Sequence, residues 1–292
     1  MSRLSSKSLR LEIGPERLRV ALLGRWPRRH VRAAVERSWR GVSASEEPGS
    51  AAAEPHSAIS AALHGAIAEL AEKGSLAGMA LDVVLPDTLA HFDIAQGRFG
   101  AHGEPQLRAI AAACVKELLD EQSGQYEIRF QLQSDEQHLL LCAVPIGMLN
   151  TIRAAAAQAD LRIRSIEPLF ARQWNRHGGA LRRGLGVFAV GDDGYATIAL
   201  VRHGVVQALS SGSCCDPSEE AHAPSADGDR LPTEAGVDQV VSPCRLDAKV
   251  NRLLASLGVD AAELKRLVAI DGSCFAQLSP RWTVLRDVGV ST

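Results

Sequence analysis

Three short turns carry the residue types that phosphate chemistry asks for. Gly186 to Ser210, GVFAVGDDGYATIALVRHGVVQALS, runs an apolar strand into Asp192-Asp193-Gly194 and leaves through a second apolar strand that bears Thr197. Backbone N–H groups at glycine turns can cradle a phosphate, a carboxylate can organise Mg²⁺ and its water, and a small hydroxyl can touch a phosphate oxygen. The other two turns are Glu12-Ile13-Gly14-Pro15-Glu16 and Asp271-Gly272-Ser273. Each also has a plain reading. Asp-Gly between apolar strands is a common hairpin signal, and one glycine among polar residues after a strand suits a simple turn. The first turn is also poor for phosphate on its own chemistry: Pro15 lacks an N–H, and Glu16 sets a negative charge where a phosphate would lie. The balance favours hairpins, with Glu12, Gly14, Asp192, Gly194, Thr197 and Gly272 as the residues a vestigial nucleotide site would use.

Other constellations point to less. His91, His102 and His138 have no i, i+4 partner and read as surface or strand-edge residues rather than metal ligands. The six cysteines, at 114, 142, 214, 215, 244 and 274, show no C-x-x-C spacing and read as reduced thiols. Ser210-Ser211-Gly212-Ser213 lacks evident His and Asp partners, so no hydrolase triad is assigned. Asp82 and Asp87 flank a strand end beside Pro86, where Asp is ordinary turn chemistry. Arg25, Arg28, Arg29 and Arg32 are a local basic face, while the formal net charge of -2 provides no field for a polyanion and argues against nucleic acid. The start, MSRLSSKSLRLEIG, has no apolar h-region, and no run of apolar residues is long enough to span a bilayer, which suggests a cytoplasmic chain.

These residues need elements to hold them. Alternating apolar residues on both sides of Gly14-Pro15 predict a hairpin over Leu9 to Leu23. RWPRRHVRAAVERSW suits a basic strand or a short helix, and SASEEPGSAAAEPHS is a loop by composition. Ile59, Leu63, Ile67 and Leu70 lie on one face of a helix over Ser57 to Lys73. Strands follow at Leu81 to Leu85, in HFDIAQGRFG, in YEIRFQLQ, in HLLLCAVP as a fully buried strand, and in LRIRSIEPL. Helices fall at Pro105 to Glu121 and Ile146 to Ala159. A second hairpin, residues 186 to 209, should occupy a sheet of its own. Cys214 to Pro243 is polar and proline-containing and reads as a flexible insert. Helices at Leu246 to Leu257 and Ala261 to Arg266 and a strand in RLVAIDGS complete the chain. Interleaved strands and helices make the class α/β.

The middle of the chain carries a resemblance. LDVVLPDTLAHFDIA (Leu81 to Ala95) resembles the strand, proline and second strand of the family that holds the type IV pilus assembly protein PilM, the cytoplasmic domain of the type II secretion protein GspL, and MshI. CAVPIGMLNTIRAAAAQADLRIRSIEPL (Cys142 to Leu169) resembles that family's strand, helix and returning strand. The resemblance implies an actin-like (ribonuclease H-like) fold of two related halves around a cleft: residues 1–175, with a small inserted subdomain at about 88–136, and a truncated second half, 176–292, with the flexible insert at about 214–243. In that fold the first two turns serve phosphates and Mg²⁺ and the third serves the nucleoside. Active members carry Asp-x-Gly in the first turn. Glu12-Ile13-Gly14 departs from it, so neither ATP nor Mg²⁺ is expected as a cofactor and no catalytic residue is assigned. The resemblance implies a scaffold rather than an enzyme, peripheral to the inner membrane and binding the cytoplasmic segment of an inner-membrane pilus or secretion protein in a groove between subdomains. An assembly ATPase is a further partner, and membrane contact is indirect. The competing reading is an ATPase or small-molecule kinase of the same fold, with Glu12 or Asp192 on Mg²⁺ and Thr197 on phosphate.

Overall fold

The computed structural model describes residues 7–14, 16–24, 30–39, 55–192, 194–214, 246–264, 266–270 and 282–285. β1 (Ser8–Ile13) and β2 (Arg17–Gly24) form the first hairpin, and β3 (His30–Ser38) pairs antiparallel with β2 on its outer side. From His30 to Ser38 the basic stretch is therefore a strand rather than a helix; residues 25–29 lie outside the described residues. An edge position tolerates its charges, and only Val35, opposite Val20, is fully buried. α1 (Pro55–Glu72) lays Ile59, Leu63, Ile67 and Leu70 against Leu9, Leu11 and Ile13 of β1. β4 (Ala80–Leu85) runs parallel to β1, and β8 (Arg162–Pro168) parallel to β4, giving the order β3-β2-β1-β4-β8.

Between β4 and β8 the chain builds β5 (His91–Gln96), α2 (Glu104–Leu119), β6 (Tyr126–Leu132), β7 (His138–Pro145) and α3 (Ile146–Gln158). β7 lies between β5 and β6 in an antiparallel sheet of three strands. The boundary drawn from sequence at about 136 falls just before β7. One face of this small sheet, with Leu139 and Leu141, packs on Leu107 and Ala111 of α2. β7 is not fully buried as expected: Leu140 and Cys142, on the opposite face, are half-buried. α3 returns to the first sheet, where Ile152, Ala155 and Ala156 join the α1 core.

α4 (Leu169–His177) leads into β9 (Leu185–Asp192), β10 (Tyr195–Arg202) and β11 (Val205–Ser213). The segment read as two strands contains three. The extra reversal is at His203-Gly204, where φ is 53° and 83° and both residues are left-handed, as a two-residue hairpin turn requires. α5 (Leu246–Ser256) precedes β12 (Arg266–Ile270), which runs parallel to β9, and β13 (Trp282–Leu285) runs parallel to β12. The helix expected over Ala261 to Arg266 is a 3-10 turn at Ala261–Glu263 followed by that strand. β13 was not anticipated. Most of the expected insert, from residue 215 onward, lies outside the described residues.

The second sheet has the order β11-β10-β9-β12-β13, the same plan as the first: three antiparallel strands followed by two parallel ones. The two hairpins stand in separate sheets, and the β1–β2 and β9–β10 turns occupy corresponding places. Among the described residues no helix is long and apolar enough to cross a membrane.

Candidate functional site

At the first turn the polar groups are already engaged. Gly14 donates its N–H to the Arg17 carbonyl at 2.8 Å, closing the hairpin, and its own carbonyl accepts from Trp39 Nε1 at 3.0 Å. The Trp39 N–H and the Ser38 hydroxyl both reach the Glu16 carbonyl. The end of β3 thus clamps the turn. Glu12 takes Arg10 Nη1 at 3.4 Å, so the carboxylate proposed for Mg²⁺ has a guanidinium beside it instead. Pro15 lies outside the described residues.

The second turn is closed in a similar way. Gly194, at φ 80°, offers its carbonyl to the Cys214 N–H at 2.6 Å and to the Ser213 hydroxyl. Thr197 is fully buried, and its Oγ1 accepts from Ser211 Oγ at 3.1 Å, so this hydroxyl faces β11 rather than solvent. Asp192 ends β9; Asp193 and Gly272 lie outside the described residues. Glu12 and Gly14 share one hairpin, and Asp192, Gly194 and Thr197 share the other. Among the described residues no cluster of three or more His, Cys, Asp or Glu side chains could hold a metal ion.

Several side chains the sequence left as ordinary turn or surface residues organise the junction of the sheets. Asp87, in a 3-10 turn just past β4, is buried and accepts the Phe170 N–H at 2.9 Å. Its charge is felt on both sides. Burial and then Asp87 push the Tyr195 phenol up, and the same two causes push the Cys142 thiol up to about 12. Phe92, Phe170, Phe188 and Trp174 join β5, α4 and β9 by edge-to-face contacts with centroids 5.3 to 5.9 Å apart. Gln133, at the β6–β7 turn, makes a bidentate pair with the Val206 backbone in β11, at 2.8 and 2.7 Å. His138, expected at the surface or an edge, is buried at the start of the central strand β7 and pairs with Asp135 at 2.5 Å.

The face of the small sheet away from α2 divides its work. At the β5 side, Phe92 and Ile94 pack into the core under the second sheet. At the β6 side, Glu127, Arg129, Cys142 and Val144 form one wall of an open groove of about 570 Å³, opposite β8, with Arg153 of α3 and Ala171 of α4 nearby. Arg153 donates to Glu127 at 2.9 Å, and Arg129 binds the same carboxylate. Chiefly that Arg153 bond holds Glu127 below the usual carboxylate range, against its burial. Across the groove, β8 carries a bulge: Leu81 faces Ile163 and Asp82 faces Ser165, so Arg164 is the extra residue. The bulge re-aims Arg164 onto the buried Asp82, which it grips with Nε and Nη2 while Ser165 adds a hydroxyl. Asp82 in turn raises the Arg164 pKa.

No protein-family model matches the chain, and no curated protein is similar to it. Solved structures are. The cytoplasmic domain of EpsL, an inner-membrane component of the type II secretion system of Vibrio cholerae, superposes with a TM-score of 0.50 at 9% identity, over 96% of this chain and 90% of that one. A protein of Bacteroides thetaiotaomicron with an actin-like ATPase fold and unknown function gives a TM-score of 0.53 at 6% identity, over 92% and 84%. The chain has an actin-like fold. The PilM–PilN type IV pilus biogenesis complex gives a TM-score of 0.59 at 14% identity, over 93% of this chain and 82% of that one. In this actin-like chain the two hairpin turns stand at matching places in the two sheets, and the Gly14 N–H and the Gly14 and Gly194 carbonyls bond within the fold. The groove lies between the edge of the first sheet and the small sheet. No local motif marked it, because its walls come from residues 85 to 171 and meet only on folding.

Proposed function

We propose that this actin-like chain is a scaffold of a type IV pilus or type II secretion apparatus, cytoplasmic and peripheral to the inner membrane, which binds the cytoplasmic segment of an inner-membrane partner. The observation that carries the reading is the groove between β8 and the small sheet, large enough for several side chains and walled by both apolar and charged groups. The turns support it from the other side. Gly14 spends its N–H and carbonyl within the fold, Gly194 its carbonyl, and Thr197 Oγ1 accepts from Ser211, so the Gly14 N–H is not offered to a phosphate. The solved structures that share the fold include a complex of PilM with PilN and a domain of an inner-membrane secretion component. On this reading the chain divides near residue 175 into two halves, the nucleotide site is vestigial, and an assembly ATPase is a second partner reached through the scaffold.

The test uses synthetic peptides that reproduce the cytoplasmic segments of inner-membrane proteins encoded beside this chain, titrated into it in parallel with Mg-ATP hydrolysis assays. A saturable peptide without ATP turnover supports the reading. ATP turnover with no peptide bound supports the ATPase or kinase reading instead.

A further inference from the structure

Four basic side chains gather where the chain enters and turns within the second sheet. Arg182 and Arg183 stand in the loop before β9, and Arg202 and His203 at the β10–β11 turn; all four are exposed. The fold holds the two loops together. The His203 N–H reaches the Gly184 carbonyl at 2.8 Å, and Arg202 pairs with Leu185 across the β9–β10 ladder. Glycines frame Arg182: a Cβ at Gly204 would lie 3.5 Å from its Cα, and one at Gly179 would lie 3.7 Å from its Nε. Among the described residues none of the four makes an ion pair. The local sequence provides no counter-charge, since Pro168 to Gly191 holds four arginines and no acid. A chain with a formal net charge of -2 thus carries a concentrated positive surface, which attracts anions.

Two kinds of polyanion fit such a surface, an acidic polypeptide and an anionic bilayer. Location decides between them. α4 starts beside the groove at Ala171 and ends at the 3-10 turn that leads to Arg182, so the patch lies about one short helix, roughly 13 Å, from the groove. A partner segment that reaches the groove from the inner membrane keeps this surface close to lipid. Cytoplasmic segments beside a membrane span carry an excess of lysine and arginine. The three arginines repel such a segment, whereas the anionic leaflet attracts them. Each arginine near that leaflet raises binding roughly fivefold, and three give about a hundredfold. That is enough to orient a chain already tethered by its partner and too little to anchor it alone.

We infer that Arg182, Arg183, Arg202 and His203 form a docking surface for anionic phospholipid headgroups, a direct contact where the sequence suggested only an indirect one. The inference rests on the chain working at the inner membrane and adds the surface that meets it. The purified chain is sedimented with vesicles of phosphatidylcholine, with and without phosphatidylglycerol. It is expected to bind only the vesicles that contain phosphatidylglycerol, and to release them as salt rises. Arg183→Glu weakens that binding roughly tenfold or more. Arg108→Glu, on α2 at the far side of the small sheet, makes the same change in net charge and leaves binding within about twofold. Arg182→Ser, Arg183→Ser and Arg202→Ser together abolish it at an unchanged unfolding midpoint. No binding to phosphatidylglycerol, equal binding to phosphatidylcholine alone, or equal losses for Arg183→Glu and Arg108→Glu overturns the inference. Where the vesicles fail, patch-dependent binding of polyglutamate makes an acidic polypeptide the occupant, and patch-dependent binding of inorganic phosphate makes it a free anion. Failure with vesicles leaves the peptide titration above to decide the groove, because the two measurements use different ligands.

Discussion

Replacing Gln133 tests how the small sheet is tied to the second sheet. The two-residue turn at His203-Gly204 makes Arg202 and Val205 the hydrogen-bonded closing pair. The next pair, Val201 and Val206, is then the open kind, and the Val206 N–H and C=O point out of the sheet. Gln133 meets both: Nε2 donates to the Val206 carbonyl at 2.8 Å, and Oε1 accepts the Val206 N–H at 2.7 Å. One side-chain amide thus makes the two bonds that a neighbouring strand would make. Val206 is fully buried, so truncation strands a donor and an acceptor. Two bonds at about 1 kcal/mol each, with an added penalty where water does not enter, place the cost of Gln133→Ala at about 2–4 kcal/mol. Gln133→Glu keeps an acceptor but turns a carboxylate toward the Val206 carbonyl, so it should cost more at neutral pH and recover in acid. Urea unfolding gives the energies, and hydrogen exchange at the Val206 amide reports the bond directly. A loss for Gln133→Ala below about 1 kcal/mol, with Val206 protection unchanged, would refute the argument.

Three further outcomes follow from the same geometry. Arg164→Ala should destabilise more than Asp82→Ala, about 3–5 against about 1–3 kcal/mol in urea unfolding, because the first strands a carboxylate 6% exposed and the second leaves a guanidinium 46% exposed that water can serve; equal or reversed costs contradict this. Burial pushes Asp135 up, but bonds from the Gln137 N–H and from His138 outweigh it and hold the group below its usual range, as Arg153 holds Glu127. Depressed folded values give stability that is present above the unfolded pKa, about 4, and lost as pH falls through the folded values, so Asp135→Asn with Glu127→Gln should flatten the acid limb of a stability–pH profile, and an unchanged limb counts against it. Mg-ATP should give no saturable heat below about millimolar, since a carboxylate such as Glu16 about 4 Å from a phosphate costs roughly 4 kcal/mol at an effective dielectric of about 20, near three decades in affinity. Tight Mg-ATP binding lost on Asp192→Ala is the contrary result.

Much of the scaffold was legible because it rests on local periodicity. Ile59, Leu63, Ile67 and Leu70 announced α1, and the alternation across Gly14 announced the first hairpin, since each pattern is read within one element. The turn at His203-Gly204 escaped because apolar residues continue on both sides of it and His-Gly is a weaker turn signal than Asp-Gly. β3 stayed ambiguous because an edge strand can carry a helix-like share of charge. The junction and groove residues were hidden for a different reason. Asp82 looked like a turn residue until the Arg164 bulge, over eighty positions away in sequence, was seen to meet it. Gln133 closes the strand expected in YEIRFQLQ, and nothing in that stretch points to β11 as the partner of its amide. Such roles come from pairings between distant segments, which no single stretch of sequence displays.

The most direct measurement of the central claim is a calorimetric titration of the cytoplasmic segment of a neighbouring inner-membrane protein into the wild-type chain and into Ala171→Trp. The account predicts one-to-one binding to the wild type, and loss of that binding in the variant with no change in unfolding midpoint. Binding of equal strength to both chains, or none to the wild type while it turns over Mg-ATP, would contradict it.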